Sequence, residues 1–366
     1  MKRMRVGLIG CGSISQTYLK NSKGIYADSF EIVAVSDIRR EAAEAKAKEF
    51  GIAKVLTTEE MLAAPEIDVI LNLTVPTAHR DIIIRALEAG KHVYTEKPFG
   101  VSMDDSNAIM AALKKSGKQL GSAPDTFMGM PCQTALKAIK SGYIGDVMGA
   151  NCLCIHPTHG NENWHPEPFF FYQRGAGPMF DMGAYYFNML IPMMGPAKRV
   201  MCMQTMNFKE RLINTMPHKG EYIHVEVPTH VVSLIEFASG ATVTFMNTLD
   251  VWNSKQPWIE IYGTEGTIIL PDPNHFSGEV LMTRLGYGEN AWVKVPDLVE
   301  YKDTQRGAGL ADMCKAIAEG RPIRPSAEMA CHVNEIINAC DIAAETGSAY
   351  TLQTTCEPPK GRWEKD

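Results

Sequence analysis

Met4-Arg5-Val6-Gly7-Leu8-Ile9-Gly10-Cys11-Gly12-Ser13-Ile14-Ser15 is the stretch on which the reading of the fold turns. A compact apolar run with the character of a buried strand passes at once into G-x-G-x-x-S. In such a turn the first glycine allows the tight bend, and the second lets backbone approach a pyrophosphate at a helix N-terminus. Ser15 occupies the third glycine position, where a small side chain still lets the helix pack on the strand. Gly10, Gly12, Ser13 and Ile14 are therefore candidate contacts for a dinucleotide. A second apolar run, Glu31 to Ser36, ends in Asp37, about twenty residues past the turn, where an acid meets ribose hydroxyls. Asp37 favours NAD, because a 2′-phosphate would face a carboxylate. Arg39 and Arg40 follow it and can stack on adenine or pair with that phosphate, which leaves NADP open.

The alternation continues outward from this core. A helix is expected over Glu41 to Phe50, closed by Gly51, then a short strand at Lys54 to Leu56, an apolar strand at Asp68 to Leu73, and a helix over Asp81 to Ala89 closed by Gly90. Strands alternating with helices imply a parallel, doubly wound sheet. Thr74-Val75-Pro76-Thr77-Ala78-His79 follows a strand at the sheet edge where such folds bind ligands, so Thr74, Pro76 and His79 join the cofactor candidates. A packing or helix-capping role for His79 fits the same position. At the next strand, His92-Val93-Tyr94-Thr95 runs into Glu96-Lys97-Pro98. The proline pushes Lys97 into extended conformation, and the ammonium reaches the ligand edge with Glu96 beside it.

Taken together, Gly10 to Ser15, Asp37, Thr74 to His79 and Glu96-Lys97-Pro98 resemble the glucose-fructose oxidoreductase, inositol dehydrogenase and rhizopine catabolism family. The resemblance implies an N-terminal Rossmann domain and a C-terminal α+β domain built on a large, open, mostly antiparallel sheet. It also implies a nicotinamide beside Lys97, which then acts as a catalytic residue on a sugar or polyol hydroxyl while Glu96 and Lys97 border the cofactor.

Beyond Asp146 the apolar runs become strand-like: Val147 to Ile155, Arg199 to Phe208, Val231 to Phe237, Ala241 to Thr248, Trp258 to Tyr262 and Thr267 to Leu270. Ser239-Gly240 and Thr264-Glu265-Gly266 supply hairpin turns between neighbours. Between the first two runs, His156 to Tyr186 is too polar and too rich in proline and glycine for a plain strand. His156, His159, Trp164 and His165 are its candidate substrate contacts. Their irregular spacing on a loop does not form a metal motif, and no metal is expected. Arg174 to Tyr185 resembles the family's second signature, a glycine-rich turn leading into D-x-G-x-H on a helix. The resemblance makes Asp181 the residue that orients the reacting sugar, and Tyr185 stands where the family's histidine base is usual. Residues four apart share a helix face, so Asp181 and Tyr185 can converge on one ligand. A phenol titrates near pH ~10 and needs a neighbouring cation to serve as base. Three readings stay open: Lys97 and Tyr185 share the proton, a loop histidine takes it, or catalysis is lost and the chain is a dinucleotide-binding sensor or regulator.

At 366 residues, two domains are expected, 1–125 for dinucleotide binding and 126–366 for substrate and self-association, with a last helix near 328–345 packing back on the first. A net charge of -6 with interspersed signs gives no reason to expect nucleic acid or a membrane surface. Nine scattered cysteines without a C-x-x-C motif read as reduced, buried thiols. No apolar run reaches a membrane span, and the basic N-terminus enters the glycine turn directly, so a cytoplasmic protein is expected. The leading function is an NAD(P)-dependent oxidoreductase acting on a ring carbon of a sugar, inositol or glycoside, with C3 of a glycoside as the narrower expectation. A sheet left open on one face implies a homo-oligomer.

Overall fold

The computed structural model describes residues 3–156, 167–288, 291–301 and 303–364. Strand β1 (Met4–Ile9) leads into helix α1 (Ser15–Lys23). The alternation continues through β2 (Phe30–Ser36), α2 (Arg40–Phe50), β3 (Lys54–Val55), α3 (Thr58–Ala63), β4 (Val69–Asn72), α4 (Pro76–Glu88), β5 (His92–Thr95), α5 (Met103–Ser116) and β6 (Leu120–Ser122). These six strands pair in parallel in the order β3-β2-β1-β4-β5-β6. The order reverses between β1 and β4, which opens a ligand crevice at their carboxyl ends. Successive side chains point to opposite faces. Val6, Leu8, Val69 and Leu71 enter one core cluster, while Ile9 and Ile70 enter the other. Burial on both faces is why these strands read as unbroken apolar runs.

Two local features depart from the periodic reading. Helix α3 is too short to show a period and is held by a capping box, in which the Glu60 amide donates to Thr57 Oγ1 (3.2 Å) and the Thr57 amide to Glu60 Oε2 (2.8 Å). Helix α4 starts at Pro76 rather than Asp81, because a proline in the first turn needs no amide partner.

The second sheet is built from longer-range pairings. After α6 (Met130–Lys140) come β7 (Val147–Ile155), α7 (Ala184–Met194), β8 (Ala197–Thr205), β9 (Glu210–Leu212) and β10 (Tyr222–His224). Then follow β11 (His230–Phe237), β12 (Thr242–Thr248), β13 (Ile259–Gly263), β14 (Gly266–Leu270), β15 (Leu281–Arg284) and β16 (Val293–Lys294). Helices α8 (Ala308–Glu319) and α9 (Ala327–Thr346) and strand β17 (Tyr350–Thr351) complete the chain. Nine strands form one sheet in the order β16-β15-β14-β13-β7-β12-β11-β8-β17, while β9 and β10 pair separately. All its neighbours are antiparallel except β12 and β7. In register, Met201 faces Leu234 and Met203 faces Val232, and all four are exposed on the open side.

The chain forms two compact units, residues 1–129, 301–334 and 362–366 in one, and 130–300 and 335–361 in the other. Leu310, Met313 and Cys314 of α8 join the first unit's core on one face of the parallel sheet, and Ala327, Ala330 and Cys331 of α9 join it on the other. Apolar burial by these late helices is why the first unit takes three separate stretches of chain.

Candidate active site

The dinucleotide edge is shaped first by backbone. Gly10 has φ 101°, and a Cβ there would lie 2.5 Å from the Leu73 carbonyl oxygen, so only glycine lets the first turn meet the β4 loop. Around Gly12 a Cβ would find nothing within 4 Å. The amides of Gly12, Ser13 and Ile14 have no acceptor among the described residues, and α1 carries no side-chain cap at Ile14. Open amides at a helix N-terminus are what a pyrophosphate requires. Asp37 is held in place, with Oδ2 accepting from the Cys11 amide (2.7 Å) and Oδ1 from the Arg39 amide (2.8 Å). The Arg39 side chain stays largely exposed, with its Nε 4.0 Å from Asp37. Ile38 and Val75 present apolar side chains to solvent at the same edge. Amides for phosphates, a fixed carboxylate for ribose and apolar surfaces for rings fit NAD. Burial, and then Asp37, push the Cys11 thiol up to about 11, so it is no nucleophile at neutral pH.

Lys97 stands on a buried support. Glu96 accepts the Tyr18 hydroxyl on Oε1 (3.0 Å) and the Lys97 amide on Oε2 (3.1 Å), while its own amide donates to the Asn72 carbonyl (2.9 Å). Burial first and Glu96 second raise Tyr18 well above the ordinary phenol range, so Tyr18 remains a neutral donor. Asn72 ties two loops together. Its side-chain Nδ2 donates to Thr95 Oγ1 (3.2 Å), and its side-chain Oδ1 accepts from the Thr74 amide (3.3 Å) and hydroxyl (2.7 Å). His79 is fully buried, with Nδ1 2.7 Å from the Pro98 carbonyl oxygen and Nε2 3.0 Å from that of Thr74. Its nitrogens face backbone, as the packing alternative requires. Pro76 opens α4 beside it. Beneath Glu96, Asp125 accepts the Gly307 (2.9 Å) and Gly309 (3.0 Å) amides and so caps α8, and its carboxyl is raised by burial.

The second unit carries the other signature on different physics. Gly175 and Gly177 take positive φ, and the Asp181 amide donates to the Gly177 carbonyl (3.0 Å). Met179–Gly183 is then a π-helical turn running into α7, not the uniform α-helix on which the i, i+4 reading of Asp181 and Tyr185 rests. Such wide turns concentrate at functional sites. Asn247 of β12 pins the turn by donating to the Pro178 carbonyl (2.7 Å) and lying 3.7 Å from Met179 Sδ. Asp181 is half-buried and Tyr185 is 5% exposed. Tyr186 is structural, since its hydroxyl donates to the Leu153 carbonyl (2.8 Å) and its ring lies 4.6 Å from Phe245. The His156 amide donates to the Thr248 carbonyl (3.0 Å), and its Nδ1 lies 3.5 Å from Cys154 Sγ. His159, Trp164 and His165 lie outside the described residues. Among the described residues no cluster of His, Cys, Asp and Glu is arranged to hold a metal.

Asn72, Asn247, Tyr18 and Asp125 are absent from the sequence reading of the site. The two asparagines carry a usable signal, a polar amide inside an otherwise apolar strand. A buried amide needs partners, and each of these amides holds a loop residue, Thr74 for Asn72 and Pro178 for Asn247. Tyr18 and Asp125 carry no comparable local signal.

Comparison with known proteins agrees with this geometry. Residues 4–123 match the model of an oxidoreductase family with an NAD-binding Rossmann fold, and residues 132–269 match the Gfo/Idh/MocA C-terminal domain. The 1,5-anhydro-D-fructose reductase of Ensifer adhaerens is 26% identical over 271 residues, which is 72% of this chain and 75% of that protein. The myo-inositol 2-dehydrogenase of Thermotoga maritima is 24% identical over 266 residues, 72% of this chain and 74% of that protein. In fold, the chain is similar to a levoglucosan dehydrogenase solved with NADH and levoglucosan, with a TM-score of 0.81, 22% identity and coverage of 96% of this chain and 100% of that one. With both domain models matched and the dinucleotide edge intact, the chain belongs to the Gfo/Idh/MocA family and is an NAD-binding oxidoreductase.

Proposed function

We propose that the chain oxidises a secondary ring alcohol of a sugar, inositol or glycoside, with C3 of a glycoside as the narrower candidate. The observation that carries this reading is Lys97, placed at the carboxyl end of β5 with its backbone held by buried Glu96 and with the dinucleotide turn on the same edge. NAD, when bound, supplies the hydride acceptor. The protein's part is to orient the alcohol and take its proton. Lys97 does the second, as acid/base or as an ammonium facing the developing alkoxide. Asp181 holds the neighbouring hydroxyl, and Tyr185 completes the proton relay in the position where the family's histidine is usual. His156 and the segment containing His159, Trp164 and His165 supply further polar and stacking contacts. The anhydrofructose and inositol substrates in the relatives' names support the substrate class.

Two companion proposals belong here. The exposed Met201, Met203, Val232 and Leu234 patch suits self-association through the open face of the large sheet. Nine free thiols support a cytoplasmic setting.

The test is reduction of NAD followed by absorbance on mixing the protein with a panel of inositols, free and anhydro sugars and glycosides, repeated with NADP. Turnover with one class, faster with NAD, is the expected result. Silence across the panel, together with a protein that co-purifies, would replace this reading with that of a dinucleotide-binding regulator.

A further inference from the structure

His79 presents an unusual balance. A neutral imidazole has one N–H and one lone pair. Here both ring nitrogens lie at hydrogen-bond distance from carbonyl oxygens, Nδ1 from Pro98 (2.7 Å) and Nε2 from Thr74 (3.0 Å), in a fully buried position. A neutral ring can satisfy only one of them. With its proton on Nδ1, at the shorter contact, it keeps the Pro98 link and turns a lone pair toward the Thr74 oxygen. Only the imidazolium donates to both. The forces on the ring oppose one another. Burial, the Lys97 ammonium and the positive N-terminal end of α4 disfavour the charge, whereas the two carbonyls and the Glu96 carboxylate favour it.

The two linked loops are those that frame the cofactor edge. The Thr74 loop is tied to Asn72 and passes so close to the first glycine turn that a Cβ on Gly10 would strike Leu73 and Thr74 backbone at 2.5 and 2.8 Å. The Pro98 turn carries Lys97. We propose that His79 is a positioning residue whose protonation adds the Thr74 link to the Pro98 link, drawing the β4 loop against the pyrophosphate turn and tightening NAD binding. The inference rests on NAD binding and is independent of which alcohol is oxidised. Linkage makes it reciprocal: if protonation tightens the dinucleotide, the dinucleotide must raise the proton affinity of His79.

Asn places its amide nitrogen near Nδ1 and Gln near Nε2, so two variants separate the links. NADH binding, followed by nucleotide fluorescence, is measured between about pH 8 and about pH 5.5. Wild-type affinity should tighten several-fold toward the acid side, and NADH binding at an intermediate pH should be accompanied by proton uptake. His79→Gln, which keeps the Thr74 link without titrating, should bind tightly across the range, and His79→Asn, which keeps only the Pro98 link, should bind weakly across it. In the wild type, nitrogen NMR of the ring should show both nitrogens protonated at higher pH with NADH than without. Wild-type pH dependence retained in both variants, or a ring titration unmoved by NADH, would overturn the proposal. The proton-uptake and NMR measurements use only the unaltered protein, so poor folding of a variant leaves the proposal open to refutation. A protein that turns over no alcohol in the panel can still pass or fail this test.

Discussion

The dinucleotide edge and the second signature are held in place by different means. At the parallel-sheet edge, position comes from backbone, through a turn that admits no Cβ at Gly10, open amides at a helix start, and loops tied by Asn72, Glu96 and His79. At the second signature, a π turn is pinned by a side chain, Asn247, which donates to the Pro178 carbonyl. The first construction suits a ligand that never changes. The second relies on a side-chain contact, and Tyr185 lies in the helix that this turn enters.

The comparison can be broken from either side. Lys97→Ala should give the largest effect, a loss of turnover of about a hundredfold to ten-thousandfold with NADH affinity nearly intact, read by steady-state kinetics beside a fluorescence titration. Wild-type turnover in that variant would remove Lys97 from the chemistry. Gly10→Ala should instead abolish tight NADH binding and cost about 1–3 kcal/mol of stability, measured by denaturant unfolding, because both its φ and its contact with Leu73 exclude a side chain. Asn247→Ala tests the second signature. Turnover should drop about tenfold to a hundredfold as the π turn shifts, while NADH affinity stays unchanged, and an equal loss in both would deny the contrast. Met203→Asp should weaken any self-association at micromolar concentration, with scattering giving the mass.

The smallest effect concerns pH. Burial holds His79 below its ordinary 6.5, so the unfolded chain takes up this proton more readily than the folded one. The stability that His79 contributes is therefore present above about 6.5 and lost as pH falls through its folded value. His79→Gln should flatten that acid limb by a few degrees in Tm at most. Acid thus loosens the whole fold slightly even while it adds a link at the cofactor edge.

Much of the first unit was legible because its signals are local. The glycine turn, Asp37 and the apolar runs are each read within a few residues, and strands buried on both faces leave little ambiguity in parallel pairing. The contribution of α8 and α9 to that unit was less legible, since it depends on apolar faces meeting residues some two hundred positions earlier, as in the Asp125 link to Gly307 (182 residues apart). Helix α3 escaped for the opposite reason, being shorter than a helical period can reveal.

The sequence by itself determined the dinucleotide unit and the placement of Lys97 at its ligand edge, because residue identity at a turn or strand end sets what backbone and charge can do there. Only the tertiary structure decided what stands behind those residues. Tyr18 under Glu96, Asn247 under the π turn, and both nitrogens of His79 against carbonyls are contacts between distant segments. No local pattern encodes them, since each exists only once folding has removed water and left a buried polar group to find its partner.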